Sequence, residues 1–402
     1  MEIAVIGGGA AGFFAALSCK AHHPSANVHL YEKSAKLLAK VKVSGGGRCN
    51  VTHSCFKVGE LVKNYPRGER PLKKAFGIFN PNHTIEWFKA RGVELKTESD
   101  GRMFPVTDDS QTIIDCLTKE ARKLGVSIKL NSPIKSIQKL SDGFQLGFKK
   151  SEIKKVDKVI IATGGSPRES GFDWLKDLGH SVEEPVPSLF TFNMPDEPVK
   201  ELMGVVVNPV EARIQGSKLK SEGPLLITHW GMSGPAILKL SAFGARELHE
   251  RNYNFVVMIN WAGSKGEEEI RSALKSVVEH HTKKKVTNVN PFNMPNRMWE
   301  FLLNKLSLAD DMIWENLGKK NINRLTHIIF NDEYEVRGKT TFKEEFVTCG
   351  GIKLSEIDMK SMQSKIVPGL YFAGEVLNID GITGGFNFQA AWTTGFISGM
   401  LR

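Results

Sequence analysis

Apolar and polar positions fall into blocks along the chain, and the opening block sets the frame. Ile3-Ala4-Val5-Ile6 is a short uninterrupted apolar run, the pattern of a strand covered on both faces in a parallel sheet. Glycines follow, Ala10 to Lys20 carries apolar residues at helical spacing, and Asn27 to Tyr31 reads as a second strand. This predicts a strand–helix–strand unit. A further strand is expected over Val156 to Ala162, ending in Thr163-Gly164-Gly165. Another is expected within Gly369 to Gly374, before an amphipathic helix over Asn387 to Leu401.

Between these segments the texture changes. Pro185, Pro187, Pro195 and Pro198 crowd together, and short alternating stretches such as Gly204 to Ile214 predict an inserted β-rich unit. Lys265 to Lys320 has a helical period, as in Glu267 to His280 and Arg297 to Leu306, which predicts a small helical subdomain within the insert. The expected class is α/β. Residues 1–188 and 348–402 form a discontinuous Rossmann-like domain, 189–264 and 325–347 a β-rich insert, and 265–324 a helical subdomain.

Composition narrows the picture. The 402 residues exceed what one core supports, and 41% hydrophobic with 24% charged residues excludes disordered and fibrous classes. Lys and Arg outnumber Asp and Glu by 54 to 44. The bases gather at Lys149, Lys150, Lys154, Lys155 and Lys158 and at Lys283 to Lys285, without interleaved aromatics, so they read as solvated faces and no nucleic-acid partner is expected. Cys19, Cys49, Cys55, Cys116 and Cys349 include no CxxC pair, which argues against a disulfide framework or zinc ribbon. No uncharged run approaches the ~20 residues that cross a bilayer. The apolar stretch Ile3 to Leu17 lacks the basic flank of a leader. A soluble cytoplasmic protein without a membrane partner is expected.

Three glycine-rich clusters carry the chemistry. Gly7-Gly8-Gly9-Ala10-Ala11-Gly12 matches GxGxxG between a strand and a helix: Gly7 makes the turn, Gly9 admits a pyrophosphate, and Gly12 lets helix and strand approach. The amides of Ala10 and Ala11 would face the anion at the positive end of the helix dipole. Glu32, at the end of the second strand, is placed to accept from ribose hydroxyls, with Lys33 beside it. The second cluster, Ser44-Gly45-Gly46-Gly47-Arg48-Cys49-Asn50, follows Lys40 and could form an anion-binding concavity with Arg48 adding a charged hydrogen bond; Cys49 is expected to pack. The third runs from Gly374-Glu375 to Asp380-Gly381-Ile382-Thr383-Gly384-Gly385-Phe386-Asn387. Its helix-start amides suit the pyrimidine edge of a flavin. Thr163 and Gly164 complete the candidate set. His229 is expected to organise a turn and His280-His281 to be solvated. No spacing fits a metal site, and no residue stands out as a catalytic acid or base.

The chain resembles the bacterial NAD(P)/FAD-dependent oxidoreductases of the aminoacetone-oxidase-like, or BaiN-type, flavoprotein family. The matching segments are Val5 to Gly12, Lys40 with Ser44 to Asn50, Gly101 to Pro105, Ala162 to Gly165, Thr228 to Pro235 and Gly369 to Ala391. They lie in order along nearly the whole chain. The resemblance implies bound FAD and a three-part architecture whose insert is β-barrel-like. Leu38-Ala39 stand where the family usually has Gly-Arg, and Phe386 where it commonly has Tyr.

The expected activity is that of an FAD-dependent oxidoreductase, moving a hydride or electron pair between flavin and a small organic substrate or NAD(P)H. A second GxGxxG after a strand is missing from the sequence, so oxygen, a quinone or transiently bound NAD(P)H is expected as redox partner. The rivals are a flavoenzyme acting on tRNA and a non-enzymatic FAD-binding protein.

Overall fold

In the computed structural model, residues 1–148, 152–340 and 347–402 are described. The chain divides into two compact units, Met1–Ser188 with Phe342–Arg402, and Leu189–Thr341.

The first unit is built on one sheet. The opening apolar run lies in β1 (Glu2–Ile6), followed by α1 (Ala10–His22) and β2 (Asn27–Tyr31). Farther along come α2 (Glu69–Phe76), β3 (Ser127–Lys129) and β4 (Lys158–Ile161), then β5 (Ile357–Asp358), β6 (Gln363–Ser364), β7 (Leu370–Phe372) and α3 (Phe386–Gly399). Strand order is β5-β6-β7-β4-β1-β2-β3. The five strands from β7 to β3 are parallel, and β5 and β6 add an antiparallel hairpin at the edge. Because β1 lies between β2 and β4, the chain winds outward from it in both directions. Such a reversal opens a crevice at the carboxyl ends of the strands.

Two helices remote in sequence lock onto that sheet. A Cβ on Gly395 would sit 2.5 Å from the Ala11 carbonyl oxygen, and one on Gly399 would sit 2.4 Å from that of Ala15. The i,i+4 spacing of Gly395 and Gly399 on α3 thus faces that of Ala11 and Ala15 on α1, and the two backbones meet where larger side chains would separate them. Most of α3 is buried, including Trp392, Thr393, Thr394, Ile397 and Ser398. The expected amphipathic character is therefore corrected: α1 covers one side of α3, and buried hydrogen bonds hold others. Trp392 Nε1 donates to the Val51 carbonyl at 2.9 Å, and Gln389 accepts from Thr52 at 2.6 Å and Thr84 at 2.9 Å.

The strand expected over Val156 to Ala162 is also corrected. Val156 ends a separate strand, Ile153–Val156, that pairs antiparallel with Gly143–Gly147, and β4 starts only at Lys158. Asp157 makes the break, because its amide and carboxylate bond the backbone of Glu2 at 2.8 and 2.6 Å. Of the basic cluster in this region, Lys149 and Lys150 lie outside the described residues.

The second unit holds a seven-stranded antiparallel sheet. Its edge strands, Asp332–Arg337 and Lys339–Thr340, are separated in sequence only by Gly338, so the sheet curls back toward itself. In Val206–Ile214 the residues Val210, Ala212 and Ile214 are buried in alternation, as the sequence pattern predicts, and the rhythm breaks at Asn208-Pro209, where the register shifts. Helices Glu267–His280, Asn296–Lys305 and Gly318–Phe330 bury Leu274, Trp299 and Ile329 in the same apolar cluster as Val210, Val257 and Tyr334 of the sheet. Helix and sheet therefore share one core.

Candidate functional site

Four neighbouring parallel strands deliver candidate residues to one edge of the sheet. The Gly7–Gly12 turn follows β1, Glu32 follows β2, Thr163-Gly164 follows β4 and Gly374-Glu375 follows β7. Each strand ends where its apolar run meets glycine or a polar residue, so one register places all four turns side by side.

The glycines of the first turn have different surroundings. A Cβ on Gly7 would lie 2.2 Å from the Ala162 carbonyl oxygen, and one on Gly12 would lie 1.8 Å from that of Gly7, so both positions are filled by protein. A Cβ on Gly9 would meet nothing within 4 Å. Gly9 has φ −91°, which any residue adopts, so its lack of a side chain serves approach from outside and not backbone freedom. Gly9 precedes α1 without any side-chain cap, which leaves the first-turn amides directed at that open space. Gly46, Gly47 and Gly164 are equally open, at positive φ. A cradle with room above three glycine turns and helix amides pointing into it fits a dinucleotide pyrophosphate.

Glu32 is held ready beside it. One carboxylate oxygen accepts from the Gly8 amide at 2.9 Å and the other from the Ser34 amide and hydroxyl, each at 2.9 Å. A carboxylate accepts about four hydrogen bonds, so capacity for ribose hydroxyls remains. Lys33 is exposed. Lys40 bonds Glu375 at 2.8 Å, and the other Glu375 oxygen accepts from the Thr348 amide at 2.8 Å.

The second and third glycine clusters are stitched together. The Asn50 amide oxygen accepts from Gly385 N–H at 3.0 Å while its nitrogen donates to the Thr52 carbonyl at 3.0 Å. A Cβ on Gly385 would approach the Thr52 carbonyl oxygen to 2.5 Å, and Gly385 has φ +91°, so this junction requires glycine twice over. Asn387 closes the same loop, accepting from Gly381 N–H at 2.8 Å and donating to its carbonyl at 2.9 Å. Phe386 is buried, stacked on His53 with ring centroids 4.7 Å apart, and Tyr65 donates to its carbonyl at 2.7 Å. Ser44 bonds the Val41 carbonyl at 3.0 Å, and a Cβ on Gly45 would meet Phe104 at 2.9 Å.

Three candidates are directed elsewhere. Arg48 donates to Glu98 at 2.6 Å and lies over the Phe104 ring at 4.0 Å, so its charge is matched by protein. Asp380 turns into the interior, where Arg67 and Ser188 bind its carboxylate. Cys49 is fully buried and burial pushes its thiol up to about 12, as suits packing and not thiolate chemistry. Sequence reasoning missed Arg67, Ser188, Tyr65 and Thr348. Only Asp380 offered a signal for any of them, since a buried carboxylate requires a cation. His229 is exposed in the Thr228–Gly231 turn of the second unit. Among the described residues no group of His, Cys, Asp and Glu could hold a metal ion.

The family model described as HI0933-like protein Rossmann domain matches residues 1–401. The chain belongs to that family. This HI0933-like protein is 26% identical to the 3-dehydro-bile acid delta(4,6)-reductase of Clostridium scindens, over 99% of this chain and 98% of the relative. It is 28% identical to the ribosomal RNA dihydrouridine synthase of Escherichia coli, over 97% and 95% of the two chains. Among solved structures, 3-ketosteroid delta1-dehydrogenase from Sterolibacterium denitrificans superposes with a TM-score of 0.53 at 12% identity, covering 99% of this chain and 98% of that one. At that identity the likeness concerns the fold of the HI0933-like chain. No helix among its described residues is long and apolar enough to cross a membrane.

Proposed function

We propose that the cradle at the ends of β1, β2, β4 and β7 binds FAD and that the protein is an FAD-dependent oxidoreductase reducing a carbon–carbon double bond conjugated to a carbonyl. The observation that carries the reading is the open face of Gly9, set between helix amides and the Glu32 carboxylate. The amides of Ala10, Ala11 and Gly12 would hold the pyrophosphate and Glu32 the adenosine ribose. The Lys40–Glu375 pair, Gly164 and the Gly385–Asn387 turn would line the remainder. Bound there, FAD supplies two-electron chemistry that no side chain provides. The chain's own part is to hold the loop before α3 rigid through Asn50, Asn387 and Tyr65, so that its amides keep one orientation.

Support for the double bond comes from the two relatives' names. The Δ4 and Δ6 bonds beside a 3-oxo group and the 5,6 bond of uracil are conjugated to a carbonyl, and reduction adds one hydride and one proton across each double bond. Reduced nicotinamide is the proposed electron source, bound transiently. The test is anaerobic stopped-flow: NADH or NADPH should bleach the flavin, and an enone or a uridine-containing RNA should restore its absorbance. Protein that purifies colourless and refuses added FAD would defeat the proposal at its base.

A second reading narrows the acceptor to uracil in RNA. The formal charge of +10 favours it over a steroid, because a polyanion gains from a basic surface and a neutral ring system does not.

A further inference from the structure

Within the first unit, α2 and the β5–β6 hairpin border a cleft of about 290 Å³. Arg70, Lys74 and Lys365 stand on its walls, and Ile357 and Met359 form part of its apolar lining. The sole acid there, Asp358, already accepts from the Lys360 amide at 3.0 Å and the Ser361 hydroxyl at 3.1 Å. Arg70 and Lys74 make no ion pair among the described residues, and the Lys365 ammonium donates to the Ser355 carbonyl at 2.7 Å. Several other cations of this unit are paired: Arg48 and Arg102 share Glu98, Lys96 holds Asp108, and Arg67 holds Asp380.

Arg70 and Lys74 are also i,i+4 neighbours on α2, a spacing at which like charges destabilise a helix unless an anion joins them. The cleft thus sets three cations against one carboxylate around apolar walls, a combination suited to phosphates that carry flat organic groups. A negatively charged chain can satisfy all three cations at once. The same segment reaches the candidate site, for Arg67 lies three positions before Arg70 and grips Asp380 in the loop that leads to α3.

We propose that this cleft docks the phosphate backbone of a single-stranded or looped RNA, with Arg70, Lys74 and Lys365 each meeting a phosphate. The proposal rests on the RNA reading of the acceptor. It is tested by fluorescence anisotropy of FAD-loaded protein with an end-labelled, uridine-containing RNA stem-loop, across salt from about 50 to about 200 mM. The R70A/K74A double variant should bind about tenfold or more weaker, and its log–log salt slope should fall by about 1.4, at about 0.7 for each lost phosphate contact. K283A/K285A, in the exposed lysine run of the second unit, should bind like the parent protein. K365A supplies a second probe should the double variant fail to fold, and it should lose about half of that slope change.

Parent-level RNA binding by R70A/K74A, equal weakening by the control, or parent binding that ignores salt would each overturn the proposal. Reoxidation of the reduced flavin by a small enone is followed in parallel. If RNA binding depends on the cleft but no acceptor restores the flavin, the cleft stands and the double-bond reading falls. If acceptors work but the cleft variants bind RNA normally, the reverse holds.

Discussion

Arg67 grips Asp380 across 313 positions of sequence, donating from Nε to Oδ1 at 2.5 Å, where the carboxylate is wholly shielded from solvent. Burial pushes the Asp380 carboxyl up from its ordinary value, and the guanidinium and Ser188 hydroxyl work against that push. Removing the cation would leave a buried charge without compensation. R67A should therefore lose about 3–5 kcal/mol of stability near neutral pH. Without Arg67 the folded-state pKa of Asp380, already raised, climbs further above its unfolded value, so the variant's deficit relative to the parent shrinks as pH falls. Urea unfolding at about pH 8 and about pH 5.5 would show this, and an equal loss at both would contradict it.

Gly9 and Gly12 stand three residues apart and should respond oppositely to the same substitution. G9A places a methyl group in open space and should keep its unfolding free energy in urea within about 0.5 kcal/mol of the parent, while weakening FAD by about tenfold or more. G12A drives its methyl group into the Gly7 carbonyl and should unfold or express poorly. Flavin titration of apoprotein with thermal melts separates the two. Undiminished FAD affinity in G9A would count against the cradle.

His180 lies between Glu356, 3.1 Å from Nδ1, and Ser364, 3.0 Å from Nε2. The arrangement looks like a hydrolase triad, but Ser364 is buried and its hydroxyl oxygen accepts from two backbone amides, of Ile366 and Val367. It serves the fold. Burial lowers the His180 pKa from its usual 6.5, outweighing the opposite pull of Glu356. Burial raises that of Glu356, and bonds from Ser181 and His180 more than offset it, leaving it lowered. Below pH 6.5 an unfolded histidine takes up a proton that the folded one resists, and the depressed carboxylate acts in the same sense. Stability should thus fall on acidification from about pH 6.5 downward, and H180Q should flatten that part of the profile in urea melts. An unchanged profile would assign the acid sensitivity to other groups.

Asp332 ties the second unit together. Its buried carboxylate accepts from Trp261 Nε1 at 2.9 Å, from Lys305 at 2.5 Å and from the Tyr334 hydroxyl. D332A leaves three donors unmatched and should cost about 3–5 kcal/mol. In a calorimetric scan the second unit should then melt earlier than in the parent. A coincident melt at the parent temperature would show that the network contributes little.

What the sequence made legible was local. The run from Ile3 through the glycine turn to Glu32 carries its own strand, turn and helix signals, and they appear at their expected places because no distant group competes with them. The helix Glu267–His280 was readable for the same reason. Arg48 shows the limit: a cation beside three glycines suggests an anion site, yet its partner Glu98 lies 50 positions away and pulls it aside. Asp380 likewise belongs to Arg67, which no motif singles out. Val156 looked continuous with β4 until Asp157 engaged the backbone of Glu2. The lysine runs are visible in the sequence as charge, whereas the cleft joins α2 to a hairpin nearly three hundred residues later.

The contact of Ala11 and Ala15 with Gly395 and Gly399 sets a timetable for synthesis. Residues 10–22 leave the ribosome early, yet the surface they must bury arrives only with residues 386–399. Until then the nascent nucleotide-binding sheet also lacks β7 on one flank. The inserted second unit, Leu189–Thr341, is contiguous and has its own core, so it can finish folding while the segment before it still waits for residues 386–399.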